Sequence, residues 1–230
     1  MKNLHSYFDP VNSELYTNKS RWETTQIGRL IETHIDGFFP DLNSTQIAIF
    51  NVPEYDGSRN SVAKSDCKIR ALFYSFHHHK FPGVADLGIL NLMSNRKTTF
   101  EKIQIVCKEL LHNGIVPCIV GGGHDLSYAI YKAYASLDKF INLTAVDSKF
   151  DIGLENDNLA SYSHLGKMIA HSPSHLFHYT NLGYQSYFVS SIANDMLQAM
   201  NFDTIRIGDL RAKFDEVEPI MRNTDFLSFD

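Results

Sequence analysis

Short apolar runs rich in β-branched residues alternate along the chain with stretches in which apolar positions recur every three or four residues. That alternation predicts an α/β fold with a mostly parallel sheet. Residues 46–52 read as the first clear strand, closed by Pro53, and a helix is expected over 68–78. A better defined helix follows: Thr98 and Glu101 have the spacing of a capping box, and Phe100, Ile103, Val106, Cys107, Leu110 and Leu111 recur at helical intervals. Gly114 stands where a left-handed cap belongs. Residues 115–120 predict a strand despite Pro117, then comes a glycine-rich corner and a helix over 126–137. Further strands are expected at 140–146, 176–182, 204–207 and 226–229, with helices over 190–200 and 214–221. There is no internal repeat, low-complexity tract or linker, so a single domain over residues 1–230 is expected.

Composition narrows the classes. The chain has 230 residues, 43% apolar and 20% charged, an ordinary globular mix. A net charge of −5 with no block of like charge gives no reason to expect a nucleic acid or a membrane surface as partner. The N-terminus lacks the basic start and apolar run of a secretory signal. No window approaches 18 consecutive apolar residues. Cys67, Cys107 and Cys118 are odd in number and lack C-x-x-C spacing, which fits free thiols in a reducing cytoplasm.

Three polar clusters follow strand ends, where the ligand crevice of an open parallel sheet lies. In Gly121-Gly122-Gly123-His124-Asp125 the glycines permit a tight turn that exposes the next side chain. A phosphate loop is a poor rival, because no Gly-Lys-Ser/Thr follows and Leu126 takes the place of a third glycine. Alone, His124 reads first as a structural histidine capping a helix, ahead of a metal ligand. Asp147-Ser148-Lys149-Phe150-Asp151 sets two carboxylates four apart directly after a buried strand. Either a cation compensates them or they form a solvated turn with Lys149. Carboxylates with one imidazole suit manganese or magnesium. Residues 225–230 read as a strand delivering Asp230 at its end. The run His77-His78-His79-Lys80 reads as a polar helix end, since adjacent helical residues point apart.

Taken in order, the clusters resemble the ureohydrolase family of arginases, agmatinases and formimidoylglutamases, with its Gly-Gly-x-His corner, Asp-x-His-x-Asp motif and Ser-x-Asp-x-Asp motif. The Gly-Gly-Gly-His-Asp form is nearest the formimidoylglutamase branch. Gly57, Asn60, Ile69-Arg70 and Asp86-Leu87-Gly88 are similar to the family's upstream pattern, extending the resemblance over roughly residues 45 to 230. It implies an arginase-like three-layer α/β/α sandwich and hydrolysis of a linear amidine or guanidine C–N bond by metal-activated water. It further implies a small amidine or guanidino amino acid as substrate and, by analogy, a homo-oligomer. His124, Asp147, Asp151 and Asp230 would hold the first manganese, Asp151 also serving in catalysis. His164, thirteen residues after Asp151, matches the spacing of a proton shuttle.

The pattern breaks in two places. Lys149 stands where the second metal's histidine belongs, and an ammonium has no lone pair to donate. The second metal's last aspartate would fall two residues past Asp230, so the natural chain is expected to be longer. One ion or none is therefore expected, with the ammonium of Lys149 in place of the second cation. Two functions stay open: an amidine or guanidine hydrolase, or a catalytically impaired family member with a binding or regulatory role.

Overall fold

The computed structural model describes residues 4–12, 19–58, 66–78, 83–153 and 158–230; Asn60, His79, Lys80 and the side chain of Cys67 lie outside them. Two compact units emerge, one within positions 1–56 and 60–122, the other within 57–59 and 123–230. Each is an α/β arrangement of mostly parallel strands with flanking helices.

The first unit carries β1 (Phe8–Asp9), β2 (Glu32–Thr33), β3 (Ile47–Asn51), β4 (Val84–Leu90) and β5 (Val116–Val120), with helices α1 (Ile27–Leu30), α2 (Asp66–Ser75) and α3 (Arg96–His112). Its sheet runs β1-β4-β3-β5, with β2 also on β4 and β1 the antiparallel member. Ala48, Ile49 and Phe50 of β3 are successively buried, as a parallel strand covered on both faces requires. Pro117 is tolerated in β5 because Val116 N–H makes the bond to the Gln46 carbonyl (2.8 Å), so the proline's missing donor falls on the side away from β3.

Helix α3 begins earlier than its predicted capping box. Asn95 is the cap: its side chain accepts from Thr98 N–H (2.9 Å) and its carbonyl accepts from the Thr98 hydroxyl (2.9 Å). Asn caps at least as well as Thr, so the earlier residue takes the role. Ile103, Val106, Cys107 and Leu110 form the buried stripe, and Gly114 ends the turn at φ 74°.

Strand β4 has no continuous apolar signature, because Asp86 and Gly88 interrupt it. Both are explained by one buried network. Asp86, fully buried, accepts from Arg70 Nε (2.8 Å) and Nη2 (3.2 Å), from the Tyr74 hydroxyl (2.8 Å) and from Gly88 N–H (2.9 Å). Arg70 Nη2 also donates to the Gly88 carbonyl (2.7 Å). The bidentate fork clamps α2 to β4, and Gly88 (φ 91°) has no room for a Cβ against the Asp9 carbonyl.

The second unit carries β6 (Ile141–Val146), β7 (Leu176–Tyr184), β8 (Asp203–Arg206) and β9 (Phe226–Phe229), ordered β8-β7-β6-β9 and parallel throughout. Helices α4 (Leu126–Ala135), α5 (His164–Ile169), α6 (Ser191–Ala199), α7 (Ile207–Ala212) and α8 (Val217–Arg222) connect and cover it. The helix expected over 214–221 is split into a 3-10 turn, Phe214–Glu216, and α8. Tyr131, Leu143, Leu165, Met168, Tyr179 and Leu197 centre its core. Among the described residues, no helix is long and apolar enough to cross a membrane.

The Arg70–Asp86 clamp generates a stability prediction. Arg70→Ala leaves a buried carboxylate uncompensated, which costs about 3–5 kcal/mol. The urea midpoint of unfolding should fall accordingly, whereas Arg222→Ala, which breaks an exposed pair with Glu218, should leave it within about 0.5 kcal/mol of wild type.

Candidate metal centre

Two of the candidate ligands are placed by the sheet itself. Strands β6 and β9 pair in parallel with Val146 opposite Phe229, and Asp230 N–H donates to the Val146 carbonyl (3.1 Å). Asp147 and Asp230 therefore leave neighbouring strand tips side by side. Asp147 is steadied where it turns off the sheet: its N–H reaches the Leu182 carbonyl (3.2 Å) and its Oδ1 accepts from Lys149 N–H (2.9 Å). Asp151 closes the loop in the left-handed region, φ 51°, and its carbonyl accepts from Leu165 N–H (3.1 Å) at the start of α5. His124 comes from the turn ahead of α4, its carbonyl accepting from Ser127 N–H (3.1 Å).

The four side chains meet. His124 Nδ1 lies 3.1 Å from Asp151 Oδ2, 3.4 Å from Asp147 Oδ2 and 3.9 Å from Asp230 Oδ2. One ligand atom from each lies within 4.8 Å of every other. A small divalent ion with bonds of about 2.1 Å separates its ligands by roughly 3 Å when adjacent and roughly 4 Å when opposite. The donor set fits a single hard cation, three carboxylates and one imidazole favouring manganese or magnesium.

The electrostatics set one imidazole against two buried carboxylates. Burial disfavours charge on His124, yet hydrogen bonds to Asp147 and Asp151, together with their charges, lift its pKa to about 9. Burial also works against the Asp147 carboxylate, but His124 and the Lys149 amide hold it below the usual range. Asp151 moves the opposite way, raised by burial and by the neighbouring charge of Asp147 against the pull of His124. Two buried carboxylates thus share one imidazole, and the second is left short of positive charge.

His164 is drawn in as well. Its ring centroid is 4.2 Å from that of His124, its Nδ1 is 3.8 Å from Asp151 Oδ2, and it belongs to a second possible ligand group with those two. Nδ1 donates to the Ser161 carbonyl (2.8 Å), and burial followed by the charge of His124 lowers its pKa to about 3. Lys149 is not drawn in. Its side chain is exposed, with Nζ 5.9 Å from the Phe188 ring centroid, and it makes no ion pair with Asp147, Asp151 or Asp230. The expectation that its ammonium takes the place of a second cation is not met by this geometry. Lys149 instead borders a cleft of about 220 Å³ lined also by Phe150, Asp151, Tyr162, Phe188 and Ser190.

Two residues without a role in the sequence reading support the centre. Ser228 Oγ is 2.5 Å from His124 Nε2, and Ser127 Oγ is 3.1 Å from Ser228 Oγ. Strand periodicity held the signal: Ser228 and Asp230 are two apart on β9 and its extension, so they share a face. Of the histidine run, His77 Nδ1 bonds the Thr25 hydroxyl (2.7 Å) and joins no ligand group among the described residues.

Solved structures share this fold. A formiminoglutamase from Trypanosoma cruzi solved with Mn2+ superposes with a TM-score of 0.70 at 16% identity, over 81% of this chain and 69% of that one. Formimidoylglutamase from Bacillus subtilis gives 0.68 at 17% identity, over 84% and 66%. Agmatine ureohydrolase from Thermoplasma volcanium gives 0.63 at 16% identity, over 95% and 73%. At these identities the likeness speaks for the fold. No curated protein matches the sequence. The model of the arginase family, however, matches residues 57–230. With most of its length matched and its metal-type residues gathered at the strand tips, the chain belongs to the arginase family.

Proposed function

We propose that this chain is a ureohydrolase-type hydrolase that cleaves a C–N bond of a linear amidine or guanidine with one manganese ion. The observation that carries this reading is the convergence of His124 with Asp147, Asp151 and Asp230, which offer ligand atoms all within 4.8 Å of one another. A manganese ion held there supplies an acidified water as nucleophile. The chain's own residues do the rest. His124 and Asp147 fix the donor geometry, Asp147 through the Lys149 amide on its second oxygen. Asp151 belongs to the candidate ligand group and also lines the cleft, so its second carboxylate oxygen is the group that would take the water's proton. His164, the shuttle position of the family pattern, holds Nδ1 as a donor to the Ser161 carbonyl (2.8 Å), so a proton relayed through this ring passes by Nε2. The cleft beside Asp151 is where the substrate's tail lies, with the aromatic faces of Tyr162 and Phe188 against it.

Lys149 supports a second reading. It occupies the position where the family motif has a metal-binding histidine, which favours a catalytically impaired member that retains the fold for binding. Metal content and product release separate the two. Under the leading reading, manganese-loaded protein releases ammonia, formamide or urea from one member of a panel of formiminoglutamate, arginine, agmatine and guanidinobutyrate. Manganese uptake without any turnover across that panel favours the second.

Stoichiometry tests the centre directly. Elemental analysis after loading and desalting should give one manganese per chain, and Asp147→Ala or Asp151→Ala should lower this to near zero. Because its ammonium lies away from the ligand group, Lys149→Ala should leave the value at one. Two ions per wild-type chain would refute the single-ion reading.

A further inference from the structure

We infer that Lys149 is a specificity-determining residue: it reads the far end of the substrate, so that the cleft takes an amidine or guanidine that ends in a carboxylate and turns away one that ends in an ammonium. The inference rests on the hydrolase reading above and names the substrate class of that same site.

Lys149 belongs to the centre by its main chain and to the cleft by its side chain. Its N–H donates to Asp147 Oδ1 (2.9 Å) and its carbonyl accepts from the Asn181 side chain (2.8 Å). The side chain lines the cleft, with Nζ 5.9 Å from the Phe188 ring centroid. It is exposed, and no ion pair with a carboxylate engages its ammonium among the described residues.

Lys149 and Asp151 are the charged residues of the cleft lining, and they mark different depths. The Asp151 side chain is only 7% exposed and lies 3.1 Å from His124, so it stands at the inner end, against the metal-type group. Lys149 stands at the solvent side. A linear molecule lying between them has its cationic amidine or guanidine end inward and an anion outward. A four-carbon stem carries the lysine ammonium away from the loop that holds the ligands. That reach suits a chain of three or four methylenes, which the Phe150, Tyr162 and Phe188 faces can cover. The space, about 220 Å³, falls below the roughly 300–1,000 Å³ of sites for larger ligands. Ser190, at the rim, caps α6: its hydroxyl oxygen accepts from Ala193 N–H (3.1 Å), which leaves its hydrogen to donate to an incoming carboxylate. A second ammonium in that place would meet Lys149 with like charge and find no acceptor to repay it.

Two guanidines of similar length differ in this terminal charge: 4-guanidinobutyrate ends in a carboxylate and agmatine in an ammonium. In calorimetric titrations of the manganese-loaded full chain, wild type should bind guanidinobutyrate about tenfold more tightly than agmatine. Added salt should narrow that gap. Lys149→Gln should bring the two affinities within about twofold of each other, while Lys149→Arg, which keeps the charge, should retain the preference. The wild-type preference and its salt dependence decide the matter even if Lys149→Gln lowers the thermal midpoint. Equal or tighter binding of agmatine to wild type overturns the inference. So does a preference that persists in a folded Lys149→Gln, or absence of binding by guanidinobutyrate and formiminoglutamate alike at millimolar concentration. Failure of the hydrolase reading looks different, because binding is read without turnover. If guanidinobutyrate is preferred through Lys149 but no compound of the panel is hydrolysed, the hydrolase reading falls and the role of Lys149 stands. If agmatine is hydrolysed with a kcat/KM equal to that of guanidinobutyrate, the hydrolase reading stands and the role of Lys149 falls.

Discussion

Like charges do not gather in a protein interior without something to hold them. Asp147 and Asp151 place two carboxylates, mostly buried, against one imidazole, and Asp230 adds a third at the more exposed side. Desolvation penalises every one of these charges, and the shifts in the pair, Asp147 down and Asp151 up, show that a single imidazolium does not satisfy both. The strand register, the left-handed turn at Asp151 and the serines behind His124 all serve to keep these groups at a common point.

How much of this could be read from sequence depended on how local the signal was. The strands 46–52, 140–146, 176–182 and 226–229 were legible because a buried parallel strand is written in short runs of mostly apolar and β-prone residues, and each lies within a few residues of its observed bounds. The polar cluster at the strand tips was legible because Asp147 and Asp230 directly follow expected strands. Strand β4 was not, because the Asp86–Arg70 network places a charged residue and a glycine at its centre, and the compensating arginine lies sixteen residues away. The cap of α3 went to Asn95 rather than Thr98, two good capping residues in competition that spacing alone does not rank. Side-chain direction was the least legible property: neither the outward course of Lys149 nor the bond from Ser228 to His124 leaves a mark in residue order.

Lys149 illustrates how a substitution can be absorbed. Its backbone N–H still serves the centre, bonding Asp147 Oδ1, and its carbonyl accepts from the Asn181 side chain (2.8 Å). Its side chain turns to the Phe188 ring, where a cation gains from the negative face of the aromatic at little desolvation cost. The bonds by which position 149 steadies this loop are main-chain bonds, separate from the course of its side chain.

The pairing of β9 with β6 has a further implication for how the centre tolerates change. Asp230 and Ser228 depend on the same two-residue alternation, and both are tied to β6 by main-chain bonds. Shifting β9 by a single step would swing the carboxylate and its supporting hydroxyl to the opposite surface together. A one-residue insertion in this short segment thus displaces both groups at once, where a replacement alters one of them.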